Sequence, residues 1–241
     1  MGMSVTRVAM VRMDVPKLPH MVRDLNTPPP QIVQIPGPAG LIAGTFEMPD
    51  LTSLPDNRPK GAMLLLHPHP QHGGTRKNNV VRHAALGALE AGWAALRIDF
   101  RGAGDSEGVY DEGEGEMADA AAALDWLKSE LANLPTAICG YSFGCRVGLR
   151  FLMRNPSAAS RFLGIAYPTN FYEWPKDTDG AWPAKSAFLL GEKDELADIR
   201  AMDAPRRNGA AITLLPTADH FFLNELADVR GWGKRGLEIK L

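Results

Sequence analysis

Five residues near the middle of this 241-residue chain, Gly140-Tyr141-Ser142-Phe143-Gly144, constrain its fold more than any others. The run before them, Thr136-Ala137-Ile138-Cys139, is short, apolar and partly β-branched, as a buried strand is. The run after them, Cys145 to Leu152, contains no helix breaker except Gly148. A serine between two such elements occupies a sharp strand-to-helix turn in strained backbone. Small residues two positions to either side let that turn close. The turn lifts Oγ clear of the sheet and aims the Phe143 N–H into the same space. The helix that starts there adds a positive dipole end, which suits an oxyanion. Such a serine is a nucleophile only if the rest of the chain supplies a base, an acid and a second N–H donor.

The bulk properties allow this. At 45% hydrophobic and 22% charged residues, the chain can fill a sizeable core. A net charge of −2 argues against a nucleic-acid partner or an anionic membrane surface. Cys139 and Cys145 form neither a C-x-x-C pair nor a disulfide framework, so a reducing cytoplasm is the expected setting. Arg7, Arg12, Asp14, Lys17, Arg23 and Asp24 interrupt every apolar run of the first 25 residues, which is not the pattern of a signal peptide. The uncharged stretch Leu25 to Phe46 contains five prolines and cannot span a membrane as a helix. Residues 1–30 read as an N-terminal extension ending in Thr27-Pro28-Pro29-Pro30, and residues 31–241 as one domain.

Along that domain, Gln31–Ile35 and Leu41–Met48 predict a hairpin at a sheet edge. Gly61–Leu66 is a continuous apolar run, the signature of a strand covered on both faces. Helices and strands then alternate. Helices are expected over Lys77–Ala91, Met117–Leu131 and Phe143–Arg154, with a short one over Leu196–Asp203 and a closing one from Phe222. Strands are expected at Trp93–Ile98, Thr136–Gly140, Phe162–Ala166, Ala187–Leu190 and Ala211–Leu215. Alternation of this kind predicts an α/β fold with a mostly parallel sheet of about eight strands.

In such a sheet the loops at the carboxyl ends of the strands share one rim. His67-Pro68-His69-Pro70-Gln71-His72-Gly73-Gly74 follows the first buried strand. Pro68 and Pro70 have no N–H, so the His69 amide is the expected second oxyanion donor, held rigid by its neighbours. Three histidines here invite a metal reading, but the loop has no Asp, Glu or Cys and little freedom to converge them. No metal is expected, and His67 and His72 read as packing residues. The glycine-punctuated Asp99–Gly108 lacks the spacing of a phosphate loop and reads as a turn in which Arg101 and Asp99 brace the rim. Gly191-Glu192-Lys193-Asp194-Glu195 offers an acid. Asp194 is the choice, with Glu192, Glu195 and Asp198 as competitors. His220, after the last strand, is the only histidine beyond His83 and therefore the base that could act on Ser142 from a later strand. Asp219 ranks below Asp194 because adjacent loop residues often point apart. Tyr141, beside the serine, and Trp174 are the expected substrate contacts.

The order serine, acid, histidine and the runs LHPHPQHGG from Leu66, DFRGAGDSEG from Asp99, GYSFG from Gly140, GEKDE from Gly191 and ADHFF from Ala218 resemble the α/β-hydrolase superfamily. Within it, the chain is similar to small bacterial hydrolases grouped with dienelactone hydrolases and serine-aminopeptidase-like enzymes. Dienelactone hydrolases use a cysteine nucleophile where this chain has Ser142. The resemblance implies that any cap enters between the strand near Ile165 and the acid. That interval, Tyr167 to Ala184, is short, so a minimal cap or none is expected. Its Tyr167, Phe171, Tyr172, Trp174 and Trp182 could form a packed surface loop or a small apolar lid.

These readings predict a serine hydrolase of carboxylic esters with short to medium acyl chains, working without a cofactor on a small-molecule ester. Thioester or peptide hydrolysis would use the same machinery. A protein of this fold without catalysis, binding a small ligand or partner, is the other class. A homodimer is left open.

Overall fold

The computed structural model describes residues 27–176 and 181–238. Most of the N-terminal extension therefore lies outside the described residues, as does part of the interval expected to carry a lid. Among the described residues, eight strands form one sheet in the spatial order β1-β2-β4-β3-β5-β6-β7-β8. They are β1 Gln31–Gly37, β2 Gly40–Glu47, β3 Gly61–Leu66, β4 Trp93–Ile98, β5 Thr136–Tyr141, β6 Arg161–Ile165, β7 Ser186–Gly191 and β8 Ala211–Leu215. β1 and β2 pair antiparallel, β2 joins β4 antiparallel, and every other pairing is parallel. The hairpin thus sits at the edge, as its sequence predicts.

Helices α1 Asn79–Glu90 and α5 Leu226–Glu238 cover one face; α2 Glu114–Glu130 and α3 Phe143–Arg154 cover the other. Strand alternation sorts the core between them. On β5, Ile138 joins the α2/α3 cluster, whereas Ala137, Cys139 and Tyr141 join the α1/α5 cluster. Every residue of β3, β4, β5 and β7 is buried, which accounts for their uninterrupted apolar runs. Cys139 and Cys145 are free and buried, and burial pushes the Cys139 thiol up to about 12. Among the described residues no helix is long and apolar enough to cross a membrane.

Helix boundaries differ from the sequence expectation where side chains cap them. α1 starts at Asn79 because the Asn78 side chain accepts from the amides of Val80 and Val81, a cap of about 1 kcal/mol. α2 starts at Glu114, before Met117, because the buried Glu116 carboxylate accepts from the amides of Asp111 and Gly113. The short helix near Leu196 is a 3-10 turn, Ile199–Met202, followed by α4 Asp203–Arg207. Pro205 lies inside the first turn of α4, where a missing N–H costs nothing. α5 begins at Leu226 rather than Phe222, whose φ is +53°. There Asp219 Oδ1 accepts from the amides of Phe221 and Phe222, closing a turn instead of a helix. The described part of the segment between β6 and β7 is turn and extended chain.

Candidate active site

Ser142 stands between β5 and α3 with φ 54° and ψ −116°, backbone that costs about 1–3 kcal/mol for a residue with a side chain. Neighbouring elements hold it there. Its N–H donates to Ile165 O at 2.9 Å, and its carbonyl accepts from the amides of Cys145 and Arg146 at 2.9 and 3.2 Å. The glycines of the motif are required by contact. A Cβ on Gly144 would run into the carbonyl oxygens of Leu66 and His67, and one on Gly140 into that of Gly144. Oγ is left pointing at the rim, in a residue 8% exposed.

Two later loops reach it. The loop after β7 is tied to the loop after β8 by Glu192 N–H to Leu215 O and Lys193 N–H to Ala218 O, both 3.0 Å. This brings Asp194 Oδ2 to 2.8 Å from His220 Nδ1, and His220 Nε2 to 3.0 Å from Ser142 Oγ. Asp194 Oδ1 accepts from the Leu196 amide at 2.8 Å, which fixes the carboxylate. Since Nδ1 faces a carboxylate, it carries the proton, and Nε2 is free to accept one from the serine hydroxyl. The other acids are placed elsewhere. Glu192 and Glu195 are exposed, Asp198 pairs with Arg200, and Asp219 closes the turn at Phe221.

The His69 loop lies beside the start of α3, with the His69 and Phe143 rings 4.9 Å apart. The His69 carbonyl accepts from the amides of His72 and Gly74 at 3.1 and 3.0 Å, so the loop folds around that residue. Among the described residues neither the His69 nor the Phe143 amide donates to a protein acceptor, so both remain available to a ligand. His67 is wholly buried and uses both ring nitrogens. Its Nε2 accepts from the Phe100 amide at 2.9 Å, so Nδ1 carries the proton and donates to Pro68 O at 2.5 Å. Burial holds this imidazole neutral, with its pKa lowered to about 4. The His69 and His72 rings lie 4.6 Å apart, but His67 is committed elsewhere, and no group of three or more His, Cys, Asp and Glu suited to a metal occurs among the described residues.

The two residues expected to contact substrate are both engaged by other parts of the protein. Tyr141 is 3% exposed, with its ring 5.6 Å from that of His220. As the last residue of β5 it points with Ala137 and Cys139 toward α1 and α5, and its hydroxyl donates to His220 O at 2.8 Å. It holds the histidine loop from below. Trp174 stacks on Tyr167 at 4.0 Å and donates Nε1–H to Ala201 O at 2.8 Å. Its ring and its polar handle are spent fastening the β6–β7 segment to the 3-10 turn.

The braces of the rim also have partners that sequence reasoning did not supply. Asp99 pairs with Arg76 in a buried ion pair and accepts from the Arg76 and Asp105 amides at 2.6 and 3.0 Å. Arg101 pairs with Asp119 at 2.7 Å. Arg146 and Tyr110 lie outside the motifs read from the sequence, and Tyr172 figures there only among the aromatics of the interval before the acid loop. Arg146 lies 4.5 Å over the Tyr172 ring, and Tyr110 Oη lies 3.2 Å from His69 Nε2. A signal was present in the spacing of Arg146, Arg150 and Arg154, which puts three cations on one helix face.

Comparison with known proteins agrees with this architecture. A family model for the alpha/beta hydrolase fold matches residues 71–207. An uncharacterized protein of Rickettsia prowazekii is 33% identical over 196 residues, 77% of this chain and 79% of its own. The crystal structure of an α/β serine hydrolase without a lid from Xanthomonas campestris superposes with a TM-score of 0.77 at 27% identity, covering 87% of this chain and 94% of that one. A dienelactone hydrolase from Anabaena variabilis shares the fold, with a TM-score of 0.68 at 17% identity over 87% of this chain and 97% of its own. On the extent of the matched model and the identity to its relative, the chain belongs to the alpha/beta hydrolase fold family.

Proposed function

We propose that the protein is a serine hydrolase of carboxylic esters with short to medium acyl chains. One observation carries the reading: the unbroken chain of contacts from Asp194 through His220 to the Oγ of a strained Ser142. In this mechanism His220 Nε2 takes the hydroxyl proton as Oγ attacks the ester carbonyl. Asp194 stabilises the resulting imidazolium and keeps its tautomer. The Phe143 and His69 amides receive the oxyanion, a contribution of about 3 kcal/mol for each donor. His220 then returns its proton to the departing alkoxide, and water, activated by the same imidazole, releases the acid.

Ester substrates are favoured by the apolar rim. Phe221 and Leu223, just after His220, are 59% and 67% exposed, and Val109 and Phe171 stand exposed on the loops after β4 and β6. The lid-less relative from Xanthomonas campestris supports a site open to small esters without a cap. No step needs a cofactor, and free, buried Cys139 and Cys145 are consistent with the reducing cytoplasm we assign as its setting.

The test is hydrolysis of p-nitrophenyl esters from acetate to dodecanoate, by the protein and by Ser142→Ala, alongside labelling with a fluorophosphonate probe. Activity should peak at short to medium chains and fall about a millionfold in turnover in the variant. Activity that survives Ser142→Ala, or a probe that labels another residue, would remove Ser142 as the nucleophile. Thioester hydrolysis without ester hydrolysis would change the substrate class while keeping the triad.

A further inference from the structure

Helix α3 carries three arginines one turn apart, and they are not treated alike. Arg150 and Arg154 both pair with the Glu114 carboxylate, at 2.6 and 2.8 Å. Arg146, the one nearest Ser142, has no carboxylate partner among the described residues. It donates Nη1–H to the Glu112 carbonyl at 3.0 Å and lays its guanidinium over the Tyr172 ring. The Glu116 carboxylate accepts instead from the amides of Asp111 and Gly113. A guanidinium has five N–H donors in a fixed fork, and stacking on an aromatic face leaves its edge free.

The groups beside it are also donors. Tyr110 faces His69, with ring centroids 5.0 Å apart. The His69 Nδ1 accepts from the Gln71 amide, so its Nε2 carries the proton and donates to Tyr110 Oη. The phenol proton of Tyr110 is then left to point outward. Tyr172 Oη has no partner among the described residues. Phe143 fits between, its ring 4.9 Å from that of His69 and 5.7 Å from that of Tyr110. Burial chiefly, then the charges of His72 and Arg146, lower the His69 pKa, whereas burial chiefly, then Tyr172 and the carboxylates of Glu116 and Glu112, raise that of Tyr110. Three loops and helix α3 therefore bring donors together about 6 Å along the helix axis from the nucleophile, and no carboxylate among the described residues pairs with Arg146 itself.

We propose that Arg146, with Tyr110 and Tyr172, forms a carboxylate-recognising subsite, and that the preferred substrate is an ester bearing a carboxylate a few carbons from the scissile bond. The inference rests on the serine-esterase reading above and names its substrate class. A guanidinium fork binds a carboxylate bidentately, while the Phe221 and Leu223 side of the rim takes the apolar remainder.

Two matched pairs of substrates test it. On the acyl side, the mono-p-nitrophenyl ester of adipic acid is compared with p-nitrophenyl hexanoate. On the alcohol side, 4-acetoxybenzoate is compared with phenyl acetate. The protein should prefer the anionic member of one pair by about tenfold or more in kcat/KM, the scale of a charge-assisted hydrogen bond. The preference should weaken in 0.5 M salt, collapse in Arg146→Gln and persist in part in Arg146→Lys, with thermal melts confirming that each variant folds. The pair that responds tells which side of the ester carries the carboxylate. A ratio of one or less in both pairs, or a ratio that Arg146→Gln leaves intact, overturns the subsite while the esterase reading stands. Absence of Ser142-dependent hydrolysis of all four esters overturns both.

Discussion

The two flanks of Ser142 are built by different physics. On the β3–β4 flank, the His69 loop and the loop after β4 are locked by buried polar groups: the Arg76–Asp99 pair, Arg101 with Asp119, and His67 bridging Pro68 O and the Phe100 amide. On the β7–β8 flank, Asp194 and His220 hold each other, and their loops are held by backbone hydrogen bonds, by the Leu196 amide on Asp194 and by the Tyr141 phenol, with no Arg–carboxylate pair between them among the described residues. Apolar side chains on that flank, Phe221 and Leu223, face outward. The difference follows from the task proposed for each. Oxyanion donors must not move, and buried charge networks give rigidity because each member is costly to strand. A histidine that shuttles a proton needs orientation from an acid, which a single carboxylate supplies.

The comparison can be broken in order of expected effect. Asp194→Asn should lower kcat about ten-thousandfold with little change in folding, since it removes the tautomer control and leaves the backbone ties of its loop. Steady-state kinetics beside a thermal melt would check this. A large loss of stability instead would mean that the acid is part of the scaffold. Asp99→Ala acts on the other flank and should do the reverse first. Losing the buried carboxylate leaves Arg76 only the exposed Asp105 as an acid partner and should cost about 3 kcal/mol of stability, read from urea denaturation.

His67 sharpens the contrast through pH. Its folded-state pKa is lowered to about 4, from 6.5 when exposed. The unfolded chain therefore binds a proton that the folded chain refuses between those values. The stability it contributes is complete above pH 6.5 and is lost as pH falls toward 4, up to about 3 kcal/mol. Urea midpoints measured across that window should fall more steeply for the native protein than for His67→Gln. Parallel curves would mean that His67 takes up a proton in place. The smallest effect is expected at Tyr141→Phe, which removes one hydrogen bond to His220 O and should cost about 1 kcal/mol. A cost approaching that of Asp99→Ala would erase the distinction between the flanks.

The parts of the site that were legible in the sequence are those fixed by covalent order. The strand–Gly-x-Ser-x-Gly–helix run forces the turn at Ser142, because only glycine fits against Leu66 O and His67 O. Prolines on either side of His69 leave it the one free amide between them. The serine–acid–histidine order, together with one histidine after the last strand, singled out His220. The sheet followed from alternating apolar periods, since β strands covered on both faces leave an uninterrupted apolar run. Element ends were less legible, because a cap such as Asn78 or Glu116 competes with continued helical pattern.

What tertiary structure decided is every relation between residues far apart in the chain. Tyr141 looked like a site residue because it adjoins Ser142. Strand alternation turned it to the opposite face, where it meets a carbonyl 79 residues away. Asp194 was separable from Glu192, Glu195 and Asp198 only once the β7 and β8 loops were packed together. Arg146, Arg150 and Arg154 are alike in sequence terms, and only the packed fold places Glu114 beside two of them and not the third. The physical reason is the same in each case. Local pattern fixes φ, ψ and the buried face of an element, whereas the partner of a polar side chain is set by which distant backbone or charge the packed fold brings within about 3 Å.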